Sequence, residues 1–444
     1  MTTAAVVESR ARTRPAVPAR GFRVSWAFAS EVVASGLGFA VLLHQARRLG
    51  PESFARVEYA SAVVAWLLVV VRGGVDVVVY REAARRPRLI PAFTELLLGL
   101  RLAAAGISFV VAVLIAGLVG EGRGAVVLVA GLSLFGSAVL ADVSPRSLCR
   151  FGQTAVLQIV RALGLFLAVM MLVQRPGDEL TAAGCLVLTE VVTSAVALAM
   201  HASEHGLCLP RWRGRASRSL ARAGALAGLA RFGRVTLYGL DMLVLGVWVG
   251  ADLGPYSAAR RLVFALAAIG LVVPSALGPA LAQAWAQGRG PARNRVARSM
   301  TLLWSGLLPV TLGLVLTADL CMPFLFGEDY RGGGVCLVLL AARLPCLLAA
   351  SFSQAALVAF RQESRSLLLV AGQLGLAAGG RSGRGGARRS EGVGLAMIVV
   401  EVAGAVSGWL ALGKLGIDLR SAMPDAPRRP GASSFAWFAA VWQG

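Results

Sequence analysis

Lysine is nearly absent from this 444-residue chain: Lys414 is the only one, beside 43 arginines. The imbalance reads as GC-rich coding more than as function. Acidic residues are also few, 23 against 44 basic ones, and charged residues make up only 15% of the chain, where a soluble domain carries about 25%. That shortage excludes a soluble globular protein of this size. Cysteine is scarce and scattered. Cys149, Cys185, Cys208, Cys321, Cys336 and Cys346 form no CxxC pair, and several fall inside apolar runs, as reduced packing residues do. Of three histidines, His201 and His205 have i, i+4 spacing with no further His or Cys ligand nearby, which reads as a surface pair at a helix end and not a metal site. The glycine-rich segments lack a Gly-Lys-Ser/Thr ending, so no P-loop and no direct ATP hydrolysis are indicated, and no cofactor is expected. Segment 1–23 holds five arginines but no short apolar region ending in a cleavage site; it reads as a cytoplasmic tail.

What the chain has in abundance is apolar sequence: 57% hydrophobic residues and a mean hydropathy of +0.71, arranged as about twelve runs of membrane-spanning length. A bilayer core takes roughly 20 apolar residues per helix, and only helices or closed barrels satisfy the backbone there. The fold class is therefore an all-α, multi-pass membrane protein. Spans are expected at 24–46, 57–79, 97–120, 125–145, 153–174, 181–202, 232–251, 256–285, 300–319, 333–360, 366–380 and 392–413. The net charge of +21 would suggest nucleic acid in a soluble protein. Here the arginines sit in short connections, where they act as topology signals and headgroup contacts, and no nucleic-acid partner follows.

With the N-terminus inside, and with Arg101, Arg234, Arg260 and Arg261 near the starts of their spans counted with the adjoining connections, the inner segments carry 29 basic residues and the outer loops 12, while Arg72, Arg161 and Arg343 fall deeper within spans. This bias puts both termini in the cytoplasm and the chain in the cytoplasmic membrane. The longest loop divides it into an N-terminal tail (1–23), a six-helix bundle (24–202), a basic cytoplasmic linker (203–231), a second six-helix bundle (232–413) and a cytoplasmic tail (414–444). The linker's spaced arginines and small apolar residues suit an interfacial helix on the inner leaflet. LGPESFARVEYA (49–60) and VGADLGPYSAAR (249–260) echo each other in the two halves, as in a parallel repeat about an axis along the membrane normal.

Three segments carry a resemblance. RRLGPESFARVEYASAVVAWLLVVVRGGVDVVVYREAARRP (47–87), RFGRVTLYGLDMLVLGVWVGADLGPYSAARRL (231–262) and PFLFGEDYRGGG (323–334) occur in the order found in polysaccharide or O-antigen flippases. These flippases belong to the multidrug/oligosaccharidyl-lipid/polysaccharide exporter superfamily, which the chain resembles over most of its length. The resemblance implies translocation of a polyprenyl-diphosphate-linked oligosaccharide between leaflets by alternating access of two bundles. Its expected partners are that glycan lipid, the membrane lipids and a proton or sodium gradient. The chain departs from the family pattern at Arg72, where an apolar residue is usual, and at Ala55, where a glycine is usual; both leave the substrate open.

A diphosphate crossing hydrocarbon needs fixed cations, and the planar fork of arginine binds phosphate bidentately while staying charged. Intramembrane charges are costly and therefore functional candidates, which singles out Arg72, Arg161 and Arg343 for substrate binding. Arg261, at the start of the eighth span beside Arg260, can line the outer mouth or snorkel to the interface. Asp76 and Asp241 head the candidates for ion coupling because they lie in matching segments; Glu31 and Glu190 follow, and Asp142 and Glu401 are the other membrane acids. Arg72 and Asp76, i, i+4 on one helix, are expected to pair and to exchange partners when a diphosphate arrives. Pro274, Pro279, Pro309 and Pro345 are expected kink sites.

A drug or metabolite exporter would share the fold but favour an acidic, aromatic cavity. An enzyme using lipid-linked glycans needs a sizeable outer loop, and the outer loops here are only about four to fourteen residues; the chain does not read as an enzyme. GGRSGRGGARRSEG (379–392) puts four arginines outside, against the bias. It is either a true basic loop or a local frame error. SSFAWFAAVWQG near the C-terminus is too short to span.

Overall fold

The computed structural model describes residues 20–148, 150–212, 214–248, 253–360, 362–379 and 389–417. Expectations on the tail before residue 20, Cys149, most of the basic stretch after 379 and the tail from 418 fall outside these residues. Every element within them is helical: α1 (Arg20–Arg85), α2 (Ile90–Val119), α3 (Glu121–Gly131), α4 (Ser133–Ala138), α5 (Val143–Ser147), α6 (Phe151–Leu172), α7 (Glu179–His205), α8 (Gly214–Trp248), α9 (Leu253–Gln287), α10 (Arg289–Leu316), α11 (Ala318–Phe326), α12 (Gly334–Ala359), α13 (Glu363–Gly379) and α14 (Arg389–Gly413). Two 3-10 turns, Pro87–Leu89 and Glu328–Gly333, join neighbours. Among the described residues, seven helices are long and apolar enough to cross a membrane. Large apolar side chains stand exposed on them, including Leu118, Met171 and Leu410, as lipid-facing surfaces require.

α1 holds the first two expected spans. It turns at Gly50, whose φ of 72° is the left-handed conformation only glycine adopts without cost; Pro51 then opens the next stretch, where a missing N–H costs nothing. A second break falls at Gly73, where ψ leaves the helical range. The fourth span is also discontinuous. α4 ends at Ala138, and 139–142 runs without helix through the protein interior before α5. Pro309 and Pro345 sit inside α10 and α12, which run on through them, as α9 does through Pro274 and Pro279. The two non-helical breaks within a helix thus fall at glycines rather than at the expected prolines.

The chain divides into two compact units. The first comprises Met1–Ala265, Thr317–Leu340 and Ala377–Leu395, with α1 at its centre. Close backbone approach fixes α8 against α1: side-chain carbon added at Gly224 would lie 2.6 Å from the Val75 amide nitrogen, and at Gly228 2.9 Å from that of Gly74. Trp66 donates to Thr236 Oγ1 at 2.8 Å and packs on Phe232. Gly254 sits over the Pro51 carbonyl, 2.4 Å from where its Cβ would be. α8 is one continuous helix through the residues expected as linker, from Gly214 onward.

The second unit comprises Leu266–Leu316, Ala341–Leu376 and Ala396–Gly444. Trp285 stacks on Phe360 at 4.6 Å. Gln354 donates to Gln373 at 3.0 Å, and Gly404 and Gly408 leave room for Gln373 and Ser353. Cys185, Cys208, Cys321 and Cys346 are free thiols. His201 is buried, against the surface expectation, because α7 turns that face toward Ala141, Ser144 and Pro145; its ring stacks on His205 at 4.9 Å.

Candidate functional site

The buried charges of the first unit converge on a residue to which sequence reasoning gave no role. Arg101 on α2 is 1% exposed. Its Nε and Nη2 grip Asp76 in a bidentate pair at 3.0 and 2.6 Å. Nη1 donates to the Leu140 carbonyl at 2.8 Å and to Asp142 at 3.1 Å, both in the unwound stretch after α4. Nη2 also reaches the Tyr80 hydroxyl at 2.9 Å, and Tyr80 donates to Asp142 at 3.1 Å. Arg146 approaches the other Asp142 oxygen at 2.8 Å. Two guanidinium groups thus balance two carboxylates, and a freed carbonyl of a broken helix is satisfied by a side chain. Arginine suits this task because its fork serves several acceptors at once.

This arrangement corrects the expected Arg72–Asp76 pair. The break at Gly73 lies between the two residues, so the i, i+4 rule for a continuous helix does not bring them together, and Asp76 goes to Arg101. Arg72 forms no hydrogen bond or ion pair among the described residues, and its Nε is buried without a partner. Its field is set from a distance by Asp142 and Glu190 on one side and Arg101 and Arg161 on the other.

The remaining candidates are paired. Arg161 on α6 bridges to buried Glu190 on α7, which also accepts from Ser137 at 2.7 Å. Glu31 is exposed and accepts from Gln158. Arg261 donates to Glu58 at 2.6 Å, and Arg260 donates to Asp241 at 3.1 Å, an acid that also accepts from Tyr256 at 3.0 Å. In the second unit, Arg343 and Glu401 form a pair at 3.0 Å, 2% and 1% exposed. The structure thus brings together Arg72, Arg161, Glu190, Asp76 and Asp142 as one electrostatic neighbourhood, with Asp241 and Arg261 at a second place and Arg343 in the other unit. No group of three His, Cys, Asp or Glu side chains able to hold a metal occurs among the described residues.

A family model described as polysaccharide biosynthesis protein matches residues 23–285. No curated protein matches the chain. Among solved structures, lipid II flippase MurJ in an inward closed conformation aligns with a TM-score of 0.68, at 12% identity over 94% of this chain and 95% of that one. An inward-facing multidrug resistance transporter of the MATE family, MOP superfamily, aligns with a TM-score of 0.66, at 14% identity over 88% and 96%. The Vibrio cholerae MATE transporter VcmN aligns with a TM-score of 0.54, at 16% identity over 90% and 98%. At such identities the likeness establishes fold alone. It is the all-α, twelve-helix, two-lobed fold of a multi-pass membrane protein.

Proposed function

Because the chain belongs to the polysaccharide biosynthesis protein family, we propose that it flips a polyprenyl-diphosphate-linked oligosaccharide across the cytoplasmic membrane by alternating access. The observation that carries this reading is Arg72, the cation left over when the charges around it are paired off. Arg101 and Arg146 offset Asp76 and Asp142, and Arg161 offsets Glu190. An uncompensated guanidinium in a membrane span is costly, and an anionic group that arrives and leaves with the cargo offsets that cost. Arg72 binds the diphosphate, and Arg161, half exposed, turns from Glu190 to share it.

Partner exchange then falls to Arg161 and Glu190 rather than to Arg72 and Asp76. When the diphosphate takes Arg161, Glu190 is released to a proton or sodium ion, which couples substrate to gradient without covalent chemistry. Asp241 and Asp76 stay neutralised by Arg260 and Arg101, and Glu31 shares its α6 neighbour Gln158. Arg261 and Arg343 reach substrate only when their pairs with Glu58 and Glu401 open. The reading requires no enzymatic step.

Deletion in the native host, followed by analysis of lipid-linked intermediates, tests the function. Loss of a flippase leaves glycan lipids stranded on the inner leaflet and surface glycan lost; an unchanged glycan without build-up, in a strain lacking a redundant flippase, refutes it. The MATE-like fold supports a second reading, export of a drug or metabolite, which predicts altered drug sensitivity with surface glycan intact.

A further inference from the structure

The C-terminal end of α7 encloses a histidine that the transport reading does not use. His201 is 3% exposed, and neither of its ring nitrogens has a hydrogen-bond partner among the described residues. A neutral imidazole carries one donor and one acceptor, so both are buried unmet, which costs free energy and calls for a reason. The ring lines a small cavity. Ser144 and Pro145 of α5 form one wall, Gln153 of α6 another, and Glu204 closes the end on α7 itself. The space left holds about one water molecule, which serves a single ring nitrogen at a time.

A charged ring has no free acceptor in this cavity. On α7 the titratable neighbours are Glu204 and His205. Glu204 is engaged already: Arg150 and Gln153 donate to one oxygen, Gln153 at 2.7 Å, and Ser144 donates to the other at 3.3 Å. His205 stacks on His201 with ring centroids 4.9 Å apart and planes at 17°, and its Nδ1 lies 3.7 Å from Glu204. A proton on His205 has that carboxylate beside it; a proton on His201 as well sets two cations face to face. From α6 the charge at this end is Arg150, taken by Glu204. Around α5, Arg146 and Asp142 pair with each other at 2.8 Å, and Ser144 and Pro145 face the ring without charge.

We infer that His201 is a proton-operated latch. With its ring neutral it fills the space between α5 and α7 and holds the short helix in place; a protonated ring swings out to water, and the cavity opens. Protons favour the open form because only there is the charged ring solvated, so the closed form prevails at neutral pH and is lost as pH falls through about 6.5, the ordinary histidine value. The effect reaches the buried charges. α5 carries Arg146 and follows directly on Asp142, so an open latch frees one end of the network around Arg101. On the topology read from the arginine bias, this end of α7 faces the cytoplasm, and the latch senses inner pH. It is independent of the cargo and works alike for a glycan lipid and a drug.

The test uses the full chain in nanodiscs, with the six native cysteines replaced by alanine and a single reporter, Ala197→Cys, at a cavity position 1% exposed. Its labelling rate by a pyridyl disulfide is divided by that of Ser203→Cys, an exposed position one turn away, to remove the reagent's own pH response. The expected ratio is low at pH 8 and rises about tenfold per pH unit below about 6.5, the slope of one proton. His201→Gln and His201→Leu are expected to abolish the rise, and His205→Gln to keep it. A ratio that stays flat overturns the latch, and so does a rise that survives in either His201 variant. Loss of the rise in His205→Gln assigns the proton to the neighbour and overturns it too. If neither His201 variant inserts, the ring is a fixed part of the fold and the latch falls as well.

Discussion

Replacing Arg101 by methionine tests whether the buried network holds the first unit together. The substitution keeps most of the side-chain length and removes six hydrogen-bond contacts: two to Asp76, two to Asp142, one to the Leu140 carbonyl and one to Tyr80. Breaking a buried ion pair from one side costs about 3–5 kcal/mol, because the partner charge stays buried without compensation. Here two carboxylates are stranded, so the upper end applies, against a total stability of about 5–15 kcal/mol. Arg146 still faces Asp142 and limits the damage there; among the described residues Asp76 has no second arginine in hydrogen-bond contact. Arg101→Met/Asp76→Asn should therefore recover more than Arg101→Met/Asp142→Asn. The assay is unfolding of purified protein in nanodiscs, followed by denaturant titration. Arg101→Met as stable as wild type, or an order of rescue reversed between the two double variants, would refute the reasoning.

Arg72→Gln should leave stability unchanged or raise it by about 1 kcal/mol, since an uncompensated intramembrane charge is removed, while reconstituted flipping is lost; normal flipping would shift the phosphate role elsewhere. In the second unit, Glu401→Gln should destabilise by about 3–5 kcal/mol, whereas Arg343→Met/Glu401→Leu should be neutral or stabilising, measured by the same titration. Gly254→Ala should cost about 1–3 kcal/mol through overpacking, because its new Cβ meets the Pro51 carbonyl at 2.4 Å; a neutral effect in thermal unfolding would contradict the close approach. Cysteine placed at exposed Ser219 in a cysteine-free background should label from the cytoplasmic side only. Neighbouring Ser217 is fully buried and reports nothing by its silence.

The spans were legible because their signal is composition over about twenty residues, which one glycine or arginine does not erase. The sites were less legible because they depend on interruptions of those spans. Gly73 is a single residue inside an apolar run, yet its backbone separates Arg72 from Asp76 and defeats a spacing rule that assumes a continuous helix. Arg101 lies near the start of its span and looks like one more flanking charge; its importance comes from Leu140 and Asp142, some forty residues away, exposed to it by an unwound stretch just before Pro145. A signal was present all the same. Asp142 is an acid deep in an apolar neighbourhood, and a buried acid demands a cation.

Arg231 and Arg234 show the limit of counting. Arg231 closes the expected linker and Arg234 falls in the first turn of the expected span 232–251, so a count of basic residues in connections takes both with the run of arginines before them. The same rule fails wherever arginine serves inside the membrane, and this chain has almost no other cation to use. Burial and pairing separate the two kinds. Arg101 and Arg343 are enclosed with their acids and act as fixed counter-charges, which locks parts of the fold. Among the described residues, Arg72, Arg231 and Arg234 have no acid in contact. A transporter needs both sets: permanent pairs to keep the spans folded around polar groups, and free cations whose compensation comes and goes with the cargo. On this logic the sequence position of an arginine says little about its role, and the identity of its nearest carboxylate says most of it.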